Sequence, residues 1–190
     1  MTALDDWRER VRAAADLPVA ERLDTYEEAC QAFPSDAEFQ AWLVSEILYE
    51  DRERARAVAR DALSLEIEDP EIAYALAESL FHLEEYDDSR RAIRILRQAA
   101  GEDLRTELAG RMFLLLARLA GANGDSDQML EGLDAAVQCE PDNVLYVLSH
   151  AAMLTELERV PEALAVMEAG LKHSPDDESL IEEIERLKTS

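Results

Sequence analysis

The chain has 190 residues, enough for one sizeable domain or an elongated repeat array, and 48% of them are hydrophobic and 33% charged, a composition far from that of a disordered chain. Its 43 acidic against 19 basic side chains give a formal charge of −24, which repels phosphate backbones and anionic bilayers and leaves proteins as the expected partners. Only six Gly and six Pro interrupt a sequence rich in helix formers, and no alternating strand-and-hairpin pattern occurs, so the expected class is all-α.

In chain order, the apolar periodicity predicts helices over 4–15, 19–32, 36–50, 53–66, 70–83, 86–100, 105–121, 126–139, 143–157 and 161–173, with a last one over 177–188. The prolines give the repeat length. Pro34, Pro70, Pro141 and Pro175 are separated by 36, 71 and 34 residues, so the middle gap holds two units, and Gly101-Glu102-Asp103 supplies the missing break. Pro18 and Pro161 fit the first turn of a helix, where the absent N–H has no partner to lose. The turn at Asn123-Gly124-Asp125 needs no other explanation than its residue types.

The segment Val144 to Pro175 resembles a tetratricopeptide unit. Ala151, Ala163 and Gly170 stand where that family places small residues at helix contacts, and Pro175 stands at the terminal proline. The preceding unit carries Phe113, Leu116, Ala117, Ala120, Ala136 and Pro141 in matching places. In the third unit Leu76, Ala77, Leu80 and Tyr86 fit, while Ser89 and Leu96 replace small residues; in the second, Ser45 and Ala62 share a register only if the turn near Asp51 loses a residue. The resemblance implies one domain over 1–190, a right-handed superhelix of five helix pairs over 1–34, 35–70, 71–104, 105–141 and 142–175, closed by a cap over 176–190. Leu180, Ile181, Ile184 and Leu187 give that cap its single apolar face.

Chemistry is sparse. His82, His150 and His173 sit one per helix with no second His at helical spacing, Cys30 and Cys139 follow no metal pattern, and neither a phosphate loop nor a nucleophile elbow occurs. We therefore expect no enzyme, no metal and no cofactor. The first residues lack a basic and apolar leader, the most apolar run (Met112 to Ala120) is too short to span a bilayer, and two lone thiols suit a reducing compartment, so the expected location is the cytoplasm.

The remaining expectation is a binding surface. In the tetratricopeptide register the groove-facing positions are Tyr74, Glu78, Phe81 and His82 in the third unit, Arg111, Leu114 and Arg118 in the fourth, and Leu148, Ala152 and Thr155 in the fifth. Tyr74 and Phe81 are equally well placed for the core. Residues 90–118 reverse the local charge, with seven Arg against three acids, and Arg90, Arg94 and Arg97 share one helix face. That face is either solvated and paired with Asp87 and Glu102, or docks an acidic segment, including the chain's own acidic flanks in a homodimer. The resemblance implies an adaptor or chaperone-like scaffold holding a peptide or helix of another protein, with the groove around Tyr74, Phe81, Arg111 and Arg118 as its centre. The alternative is a helical accessory subunit of an enzyme complex, or an enzyme with a dispersed site. Capture of a heat-shock chaperone's C-terminal carboxylate is disfavoured: the residues at the three corresponding positions are Glu78, Arg118 and Ala152, and Glu78 repels a carboxylate.

Overall fold

The computed structural model describes residues 2–101 and 104–189. Glu102 and Asp103, half of the expected break, lie outside the described residues. Among those described the chain is entirely helical apart from its turns. It packs as two compact units, residues 1–103 and 104–190.

The first unit comprises α1 (Ala3–Ala14), α2 (Val19–Ala32), α3 (Ala37–Ile47), α4 (Arg52–Ala62), α5 (Pro70–His82) and α6 (Tyr86–Ala100). Each odd helix pairs with the next, and α3 also packs against α5. Helix starts follow their caps. Thr2 and Asp5 form a reciprocal capping box on α1, while Asp36, Asp51 and Asp69 accept from backbone N–H groups of Phe39, Arg54 and Glu71. Pro70 opens α5, where it loses no hydrogen bond, and Pro18 stands immediately before α2. Phe39, Leu43, Ile47, Leu76, Leu80, Leu83 and Leu96 are fully buried and form the core of this unit.

Helix ends in this unit are closed by side chains from elsewhere in it. Arg52 and Arg56 of α4 donate to the carbonyls of His82 and Leu83, at 3.0 Å each, at the end of α5. Arg91 of α6 donates to Leu63 O at 3.3 Å after α4, Gln40 of α3 to Phe33 O at 2.8 Å after α2, and Arg22 of α2 to Ala15 O at 3.2 Å after α1. These are the carbonyls that a helix cannot satisfy internally, at the negative end of its dipole.

In the second pair Ala62 occupies its expected buried place, but Ser45 does not: it is exposed, and Val44 beside it is buried. The turn after α3 is not shortened but runs through Leu48 to Asp51. Ala41, Ala55 and Ala59 of this pair are also buried. In the third pair Ser89 takes a small residue's place by donating its hydroxyl to Ala77 O at 2.7 Å, which satisfies a buried polar group inside the helix contact.

The second unit comprises α7 (Thr106–Ala122), α8 (Ser126–Cys139), α9 (Val144–Glu156), α10 (Val160–His173) and α11 (Glu178–Thr189). Small residues set its closest approaches. A Cβ on Gly132 of α8 would lie 3.0 Å from the backbone nitrogen and Cβ of Ala117 in α7, and one on Gly170 of α10 would lie 2.7 Å from Val147 Cγ1 in α9. Ala151 and Ala163 are buried between α9 and α10. Leu180, Ile184 and Leu187 of α11 join Val147, Ala151, Leu154, Ala163 and Met167 in one cluster, as expected of a cap, with Leu164 and Leu171 packed against it. The turns after α5, α7 and α9 share one geometry, with a left-handed central residue: Glu84 at φ 67°, Gly124 at φ 73° and Glu158 at φ 60°.

Candidate functional site

The most exposed large apolar side chain of the first unit is Tyr49, at 73% exposure in the turn after α3. Its ring lies 6.3 Å from that of His82 at the end of α5. Phe81 is next to His82 with ring centroids 5.8 Å apart, edge to face. The left-handed turn at Glu84 brings Tyr86, the first residue of α6, back to 5.7 Å from Phe81. Arg52, three residues after Tyr49, ties down the turn after α5: its Nη2 donates to the His82 carbonyl and, at 3.3 Å, to Glu84 Oε1. Four aromatic rings are thus gathered at one end of the α3–α5–α6 packing, Tyr49 exposed and the others half-buried.

A second group lies on α1 and α3. Trp42 is half-buried, in contact with Phe39 at 5.4 Å, and the Arg8 and Arg12 guanidinium carbons stand 5.8 and 5.7 Å from its ring centroid. Arg8 is oriented by Glu38 at 2.6 Å. These distances suit cation–π attraction.

The expected groove residues divide between the units. In the first, Tyr74 is buried and donates its hydroxyl to Glu78 Oε1 at 3.2 Å, so it packs in the core while Glu78 is half-buried above it. Phe81 and His82 belong to the aromatic group. In the second unit, Arg111 and Arg118 are half-buried on α7, and Leu114 packs against Ala117, Leu133 and Met153. On α9, Leu148 packs against the cluster that holds α11, Ala152 is exposed, and the Thr155 hydroxyl donates to Ala151 O at 2.9 Å within its own helix. On α6, Arg90 pairs with Asp87 at 3.6 Å, whereas Arg91 is the cap of α4.

Sequence reasoning passed over Tyr49 and Trp42. Tyr49 carries one legible signal: it falls two residues beyond Ile47, the last apolar residue of the α3 stripe, where an aromatic has no core position to fill. The cysteines are half-buried and burial pushes both thiols up, away from thiolate reactivity. Among the described residues no His, Cys, Asp and Glu group of three or more is arranged to hold a metal ion, and no helix is long and apolar enough to cross a membrane.

No family model matches the chain, and no curated protein sequence matches it. Solved structures do. MamA superposes with a TM-score of 0.68 at 14% identity over 90% of both chains. PilF of Pseudomonas aeruginosa gives 0.63 at 15% identity, over 90% of this chain and 78% of its own. YrrB, described as a tetratricopeptide protein with an unusual peptide-binding site, gives 0.58 at 17% identity over 86% of this chain and 82% of its own. The chain has a tetratricopeptide-like fold. At these identities the likeness concerns the fold alone.

Proposed function

We propose that the chain is a non-catalytic protein-binding module, an adaptor or chaperone-like scaffold of the cytoplasm. It holds an extended or helical segment of another protein against the aromatic group of Tyr49, Phe81, His82 and Tyr86. The carrying observation is the exposure of Tyr49 beside His82, whose carbonyl Arg52 holds. Aromatic side chains are enriched among the anchors of interfaces. The half-buried Glu78 of α5 adds a negative charge to the same helix and suits a segment with basic residues beside its apolar ones. Arg111, Leu114, Arg118, Leu148 and Thr155, the corresponding first-helix residues of the second unit, are a separate candidate surface on that unit. The tetratricopeptide-like fold supports this reading, since stacked helix pairs present long surfaces and few enclosed pockets.

The test is affinity capture from the native cell with wild type, Tyr49→Ser and Lys188→Ala as bait, followed by titration of the captured partner. Loss of an anchor costs about 2 kcal/mol, a weakening of roughly thirtyfold. Tyr49→Ser should show that loss and Lys188→Ala should not. Equal binding by all three folded proteins would remove the aromatic group from the interface.

A further inference from the structure

The second unit contains an open cleft of about 460 Å³ walled by α8, α9 and the start of α10, which the proposed function does not use. Its floor is aliphatic, formed by Leu130, Leu154, Ala165 and Val166, and its rim is charged, formed by Glu131, Asp134, Arg159 and Glu162. Arg159 is already committed. It grips both oxygens of Glu162 at 2.7 and 2.6 Å, and the two charges cancel. Asp134 accepts only a neutral Gln138 amide, at 2.6 Å, so Asp134 and Glu131 leave the rim with two negative charges that no cation in the lining balances.

His150 lies in the wall at 7% exposure, and its buried Nδ1 has no hydrogen-bond partner. Burial holds the imidazole below its ordinary pKa against the opposing pull of Asp134, with Arg159 lowering it further and Glu162 raising it, so the ring is neutral near pH 7. A neutral imidazole has an acceptor nitrogen, and leaving a buried polar group unbonded costs about 1–3 kcal/mol. The large majority of buried side-chain polar atoms are hydrogen-bonded, and His150 Nδ1 is one of the few here that are not.

We propose that this cleft binds a basic side chain, arginine above lysine, presented by a segment of a partner protein. The aliphatic stem lies along Leu130, Leu154 and Val166, the charged head meets Asp134 and Glu131, and one N–H is donated to His150. Long basic side chains bury their stems and keep their heads polar, which matches an aliphatic floor under an acidic rim. Arginine has five N–H donors in a fixed fork and can serve a carboxylate and an imidazole together, which a single ammonium does less well. The site is independent of the aromatic group on the first unit.

The experiment follows the methyl resonances of Leu130, Leu154 and Val166 and the His150 imidazole in the full chain during titration with the peptide acetyl-Gly-Leu-Arg-Leu-Gly-amide. The expected result is saturable shifts concentrated at these groups. Affinity should fall at least tenfold when Gln replaces Arg in the peptide, and equally in Asp134→Asn or Glu131→Gln. It should be unchanged in Glu182→Gln, an exposed acid on α11, and in Tyr49→Ser, which separates this site from the proposed aromatic one. The proposal is overturned by shifts spread over the acidic surface and indifferent to Asp134→Asn and Glu131→Gln, by equal affinity for the Gln peptide, or by no shift at the cleft.

Discussion

Both units bury small residues along their helix pairs, and each adds a device of its own. In the second, α8 meets α7 and α10 meets α9 through glycine and alanine, so backbones approach until a single added carbon would collide. In the first, long polar side chains cross between helices and grip carbonyls: Arg52 and Arg56 at the end of α5, Arg91 after α4, Gln40 after α2. Close approach by small residues depends on shape and fails abruptly. Side-chain clamps depend on hydrogen bonds and fail gradually.

The largest expected effect therefore belongs to the second unit. Gly170→Val forces a branched side chain into space held by Val147 and should destabilise the protein by about 2–3 kcal/mol in urea unfolding. A loss under about 0.5 kcal/mol would mean that α10 can move off α9 at little cost, and the contrast between the units would collapse. Arg56→Met should cost less, roughly 1–2 kcal/mol, because it removes a charged donor from a carbonyl while keeping most of the apolar stem. Arg56→Lys sharpens the point: one ammonium cannot span Leu83 O and Glu85 Oε1 as Nη2 and Nε do, so it should recover only part of the loss. The smallest effects concern the shared turn. Glu158→Gly relieves a left-handed conformation and should stabilise by a few tenths to about 1 kcal/mol, whereas Gly124→Ala should destabilise by about 1 kcal/mol, both read from thermal melts.

The same difference explains what could be read from the sequence. The helices and the repeat length were legible because proline spacing and apolar periodicity record them directly. The fifth pair was the clearest because Ala151, Ala163 and Gly170 are the contacts themselves, and the fourth carries buried Ala117 and Ala136 in the matching places. The second pair was obscure for a physical reason: its turn, Leu48 to Asp51, is one residue longer than those after α5, α7 and α9, and its Arg52, Arg56 and Gln40 reach the ends of α5 and α2, where a polar residue on a carbonyl of another helix has no periodic signature. Ser89 was legible as a departure from the pattern, but its hydroxyl bond to Ala77 was not. Of the candidate surface residues, Phe81 and His82 join the aromatic group and Tyr74 points into the core, while Tyr49 joins the group only through a turn whose path no local pattern reveals. His150 was legible as a lone histidine on an apolar helix; that its Nδ1 lacks a partner depends on what α8 and α10 place around it.

The double grip of Arg56 has a consequence for salt dependence. Its Nε bond to Glu85 is an ion pair and weakens as salt screens the two charges, but its Nη2 bond to Leu83 O engages a neutral carbonyl and is screened less. Arg52 is divided in the same way between Glu84 and the His82 carbonyl. Salt can therefore weaken the ionic half of each clamp while the guanidinium keeps its hold on the end of α5. The helix that carries Phe81 and His82 is thereby secured by contacts that high ionic strength leaves in place.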